Sequence, residues 1–192
     1  MRPSALSIPY CCEHSPSMSR PIIASLHRWS ATVLGAFVLV HLVNHLVGLQ
    51  GVEAHMAYMR VARLVYRLPV VEGVLLAAAA AQMLSGAVML RSGTLWPPRR
   101  SMRSLQQWSG LYLGVFLAIH VGDVLLGRGL LNLDTTFHFA SAGFHVWPFG
   151  WFFAPYYGLA VLALGAHVGC ALHAGLRRRG TAVPVLRVAV LV

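Results

Sequence analysis

The sequence predicts an all-α integral membrane protein, a four-helix bundle built from two tandem helix hairpins with a short helix at the membrane interface. Three observations carry that prediction. The 192 residues are 57% hydrophobic and only 10% charged, with a mean hydropathy of +0.66, too few polar residues to coat a water-soluble globule. Four apolar runs, at about 26–49, 70–90, 105–126 and 155–176, each supply the roughly 20 residues needed to cross a hydrocarbon core of about 30 Å. The first and third runs are also nearly the same stretch written twice. At an offset of 79 residues, Ser25, Leu26, Trp29, Ser30, Leu34, Gly35, Phe37, His41 and Gly48 match Ser104, Leu105, Trp108, Ser109, Leu113, Gly114, Phe116, His120 and Gly127.

Residues 1–20 read as a flexible arm without the apolar core of a secretory signal, and Met18-Ser-Arg-Pro offers an alternative start. The membrane domain covers 21–180, with repeat halves 25–103 and 104–180, and 181–192 form a tail. The first span opens after Pro21 and ends at the Gly48-Leu-Gln-Gly51 break. Beyond it, His55, Met59, Ala62 and Tyr66 recur at three- and four-residue spacing, which predicts an amphipathic helix along the outer interface. Pro69 and Glu72 open the second span, a proline and an acid suiting a helix amino terminus. Its run of small residues, Ala77 to Ala81, predicts close approach of a neighbouring helix. A connector at 91–103 carries an interfacial tryptophan, Trp96, and leads into the third span. The outer segment from Leu130 to Ala154, rich in aromatics, reads as a cap on the bundle, with the fourth span starting at Pro155. The even-numbered spans also correspond: at an offset of 85, Gly73 falls on Gly158 and Gln82 on His167. Two hairpins in the same orientation imply a pseudo-two-fold axis along the membrane normal.

Charge sets the expected orientation. There is no lysine, and eleven of the fifteen basic residues fall in the arm and start of span one, the 91–103 connector and the tail. Only Arg60, Arg63, Arg67 and Arg128 lie on the other side. Positive residues collect in the cytoplasm, so both termini are expected there, in a bacterial-type inner membrane. The net charge of +10 is on this reading a topology signal and gives no reason to expect nucleic acid as a partner.

Ionisable groups inside a bilayer core are costly and mark candidate sites. His41 is sixteen residues past Ser25, as His120 is past Ser104, so the two lie at equal depth on helices running the same way. Residues related by a two-fold axis face each other across it, the arrangement that bis-histidine haem b requires. Gly35 and Gly114 would clear room for the porphyrin; close helix packing is the other explanation for them. His45, one turn above His41, is an alternative ligand. His167 lies near the middle of span four, opposite Gln82, so one haem is expected, two being the alternative. No C-x-x-C-H motif is present for covalent attachment, Cys11 and Cys12 sit in the arm, and Cys170 reads as a small hydrophobe in a span. At the cytoplasmic mouth, Ser25, His27, Arg28, Trp29, Trp108 and Ser109 are candidate quinone contacts; the alternative for Arg28 is to snorkel to lipid phosphate.

Ser25-Leu-His-Arg-Trp-Ser-Ala resembles the Ser-x-x-His-Arg-x-Ser/Thr-Gly stretch that opens the first helix of the cytochrome b membrane anchors of succinate dehydrogenase and fumarate reductase. The serine here is one residue closer to His-Arg, and Ala31 replaces the glycine. The resemblance implies quinone contacts at Ser25 and Arg28, a b-type haem held by histidines of two helices, and soluble flavoprotein and iron-sulfur subunits as partners. The expected function is therefore a haem relay between quinone and a partner oxidoreductase subunit, with no catalysis by this chain alone. Two other classes stay open. Glu53, Glu72, Asp123, Asp134, His55, His138 and His145 gather at the outer face, as a membrane metalloenzyme would need. A scaffold or carrier without cofactor is the third.

Overall fold

The computed structural model describes residues 19–92 and 101–180, with side chains from 21 to 91 and from 101 to 180. The arm up to Met18, the connector from 93 to 100 and the tail lie outside the described residues. The described chain is helical: α1 (Ser19–Val47), a 3-10 turn (Gly48–Gln50), α2 (Val52–Tyr66), α3 (Pro69–Ser92), α4 (Met102–Gly129), α5 (Phe137–His145) and α6 (Gly150–Arg178). Stretches Pro21–Gln50, Pro69–Arg91, Met102–Gly129 and Gly150–Arg178 are long and apolar enough to cross a membrane. This is the all-α, four-span architecture of an integral membrane protein.

Local chemistry explains the boundaries. The hydroxyl of Ser101 caps α4 by accepting from the Ser104 N–H at 3.1 Å. Gly51, at φ 122°, makes the turn from the 3-10 segment into α2, a conformation that suits glycine. His55 and Met59 of α2 are buried, as its spacing predicts. Two expectations for the outer segment change. It contains a helix of its own, α5, and α6 begins at Gly150, so that Pro155 sits inside the helix instead of opening it. The turns from Val146 to Phe149 start the coil early: Phe149 N–H donates to Val146 O at 2.8 Å and Phe153 N–H to Phe149 O at 2.9 Å. Pro155 then costs the helix one backbone donor in its second turn.

α1 packs along α3 and α4 along α6, giving the two hairpins. Between hairpins the close contact is α3 against α4, whereas α1 does not pack tightly on α4 or α6. Directly packed helices approach to about 8–10 Å, so α1 stands off from the opposite hairpin. The interior is lined by small and polar residues: Ala78, Ala79, Ala160, Cys170, Ser30, Ser85, Ser104 and Ser109 are buried. Large apolar side chains such as Leu39, Leu84 and Leu162 point outward, as they do when the solvent is lipid. Buried Ala78 and Ala79 are the close contact expected from the alanine run.

Candidate functional site

The gap between hairpins holds two sets of histidines at two depths. In the outer set, His41 of α1 faces His120 of α4 with ring centroids 6.1 Å apart and planes at 64°. Each ring lies on the phenylalanine one turn deeper: Phe37 under His41 at 5.8 Å and Phe116 under His120 at 5.3 Å. The duplicated Phe-x-x-x-His unit therefore builds the same stack twice. Tyr66 braces Phe37 from α2 at 5.5 Å, and Tyr157 braces His120 from α6 at 6.2 Å. His45 Nε2 lies 3.2 Å from His41 Nε2, one turn away as expected. His55 is buried; Asn44 Nδ2 donates to its Nε2 at 3.1 Å.

Two imidazoles held on opposite sides of one metal, with bonds of about 2 Å and about 1.1 Å from nitrogen to ring centre, would have centroids about 6.2 Å apart. The 6.1 Å between His41 and His120 matches that spacing and admits no side chain between the rings. A Cβ added at Gly35 or Gly114 would meet no atom within 4 Å, so neither glycine marks a tight helix crossing.

The deeper set lies towards the connector and tail. The glutamine that the repeat alignment sets opposite His167 is Gln82. It bonds within its own hairpin, donating from Nε2 to His27 Nε2 at 3.0 Å and accepting from Ser30 Oγ at 2.6 Å. The ring that faces His167 is His27, with centroids 6.5 Å apart. His167 donates from Nδ1 to Gln106 O at 3.1 Å and rests against Gly110, where a Cβ would come within 2.9 Å of its Cε1. Gly110→Ala should therefore push the ring aside and lower stability by about 1–3 kcal/mol. Gly175→Ala, which meets nothing within 4 Å, should not; thermal melts in detergent compare the two.

The six residues proposed for quinone do not converge on one face. His27 and Ser109 turn inward, whereas Trp29 and Trp108 are 71% and 54% exposed. Residues two apart on a helix point about 200° from each other, so His27 and Trp29 cannot share a pocket. The tryptophans sit where an interfacial belt would place them. Ser25 is half-buried and Arg28 exposed at the same end.

Two of the four outer acids are tied to arginines. Asp134 accepts from Arg63 at 3.0 Å, and Glu72 accepts from Arg128 at 2.5 Å. Among the described residues no group of three or more His, Cys, Asp or Glu is arranged to hold a metal ion. Sequence reading missed these ion pairs, since Arg63 and Asp134 are 71 residues apart, and it missed the phenylalanine stacks although Phe37 and Phe116 stood in the repeat. Cys170 is buried in α6, as its apolar setting predicts. Comparison with family models, with curated proteins and with solved structures returned no match.

Proposed function

We propose that this protein is a membrane cytochrome that binds haem b between His41 and His120 and relays electrons between a quinone and a partner oxidoreductase subunit. The observation that carries the reading is the pair of imidazoles, one from each repeat, whose ring centroids lie 6.1 Å apart between helices that do not pack tightly on each other. Haem b, when bound, supplies one-electron chemistry that no side chain here can perform. The protein's own part is to hold and shield. Phe37 and Phe116 fix the ring planes, and His45 lies within hydrogen-bond distance of His41. The Nε groups of Arg63 and Arg67 are buried without an acceptor among the described residues. They stand at the end of α2, whose Tyr66 packs on Phe37, and each has a proton to offer a carboxylate such as a haem propionate.

The resemblance around Ser25 to Ala31 supports quinone and the flavoprotein and iron-sulfur partners, with the quinone reacting at the end of the bundle that carries Arg28 and Trp29. Pairing of Arg63 and Arg128 with acids leaves the opposite side as the basic one, which supports cytoplasmic termini in a bacterial-type inner membrane. The metalloenzyme reading loses two of its four acids, Glu72 and Asp134, to those same ion pairs.

A reduced-minus-oxidised visible spectrum of the purified chain tests this reading. A Soret band with a sharp b-type alpha band is the expected result. Bound metal without a Soret band would favour the metalloenzyme, and a colourless, metal-free protein would favour the scaffold; either would overturn the proposal.

A further inference from the structure

Two acids lie within the four membrane spans, and only one of them has a partner. Glu72 is held by Arg128. Asp123 is exposed on α4, six residues before its end and so about 9 Å inside it, and it makes no ion pair or hydrogen bond with the described residues. A carboxylate facing hydrocarbon is costly, and such groups are kept where a cation or a polar cavity meets them. The fold of one chain supplies neither to Asp123, so the cation has to come from outside that chain.

The repeat shows what is missing around it. At the offset of 79, Asp123 falls on Asn44, which is buried and donates from Nδ2 to His55 Nε2 of α2 at 3.1 Å. The place that α2 covers on the first hairpin thus stands open on the second. Inward from Asp123 the same side of α4 carries Ile119, Val115 and Tyr112, which with Phe152, Tyr156 and Leu159 of α6 line an apolar groove of about 340 Å³. Both phenols in it are turned to backbone: Tyr112 donates to Tyr156 O at 2.8 Å and Tyr156 to Phe116 O at 3.4 Å. The groove therefore offers apolar surface along its length and one negative charge, Asp123, a turn beyond Ile119. Its complement is an apolar ridge that carries one cation.

This chain has such a ridge. Away from the buried His55 and Met59, α2 exposes Ala57, Arg60, Val61 and Leu64. Arg60 makes no ion pair among the described residues, whereas Arg63 and Arg128 are engaged by Asp134 and Glu72. The bond from Asn44 to His55 sets α2 at the depth of Asn44, which by the repeat is the depth of Asp123. Copies lying side by side in one membrane would bring the two charges to the same level. We propose that α2 of one copy of this chain docks in the groove between α4 and α6 of the next, with Arg60 of one paired to Asp123 of the other. The two surfaces differ, so the contact is head to tail and closes into a ring of copies. The proposal does not depend on the haem reading.

The test is the mass of the full chain in mild detergent with added phospholipid, followed by native mass spectrometry and by sedimentation over a range of protein concentrations. Wild type should assemble beyond the monomer. Asp123→Arg and Arg60→Asp should each weaken assembly by about tenfold or more, because each sets like charges against each other. The double variant Arg60→Asp with Asp123→Arg should restore it, which a variant that merely misfolds cannot do. A wild type that stays monomeric at every concentration would overturn the proposal, as would single variants that assemble like wild type. Single losses that the double variant fails to repair would overturn the pairing. A loss with Arg60→Asp that Asp123→Arg does not share would assign Arg60 to lipid phosphate and overturn it too.

Discussion

Replacing His120 by alanine should strip the purified protein of the proposed haem, to a tenth or less of wild-type content. His120 makes no hydrogen bond among the described residues; it rests on Phe116 at 5.3 Å and meets Tyr157 edge-on at 6.2 Å. Its removal therefore takes away a proposed ligand without breaking a polar network, and the helix content by circular dichroism should stay unchanged. His41→Ala should have the same sign and a smaller size. His45 Nε2 lies 3.2 Å from His41 Nε2 and can be drawn into the vacated position, so the full loss on the α1 side needs both changes. His55→Ala is the control. That ring is buried against Asn44 and 5.8 Å from His45, and losing it should cost stability but not pigment. Equal haem in the His120, His41 and His55 variants would refute the ligand assignment.

What the sequence discloses about this site follows from how its two parts are built. The outer pair is legible because both partners occupy the same position of a tandem repeat, and two-fold symmetry turns equal position into opposition. Phe37 and Phe116 come with it for the same reason. The deeper pair breaks the repeat. His27 aligns with Gln106 and Gln82 with His167, so each hairpin has one histidine and one glutamine, but on exchanged helices. The alignment sets glutamine against histidine, and the true counterpart of His167 lies on α1. Nor does a tandem offset reveal that Gln-x-x-Ser-Gly occurs on both α3 and α4, because the two helices run antiparallel and the motifs belong to different halves. Helical periodicity alone could have separated Trp29 from His27. The start of α6 escaped for a different reason. Proline is most at home in the first turn, and only the winding of Val146 to Phe149 carries the helix past that preference.

Glu72→Gln should destabilise the protein by about 2–3 kcal/mol, less than the roughly 3–5 kcal/mol of breaking a fully buried pair, because the two side chains are 25% and 31% exposed. The bond matters beyond its own energy. Glu72 opens α3 and Arg128 closes α4, so the carboxylate ties the first hairpin to the second at the end where the outer histidines meet. It also neutralises a crowded corner. Burial lowers the Arg67 guanidinium from its ordinary value, and the nearby charges of Arg63 and Arg128 add to that effect. Removing the negative charge at Glu72 leaves Arg128 unpaired beside those cations, where Tyr66 and, more weakly, Asp134 are the groups that favour the charged form of Arg67. A melting point lower by roughly 5–10 °C in detergent is expected from a loss of that size. Arg128→Met should cost a similar amount, and the double variant much less than the sum, since each change alone strands a charge that the other would have matched. If His41 and His120 hold haem as proposed, Glu72→Gln should also speed its release, because the ion pair joins the hairpins that carry them. A variant as stable as wild type, or strict additivity in the double-mutant cycle, would mean that the hairpins are joined by apolar packing and that the ion pair is incidental.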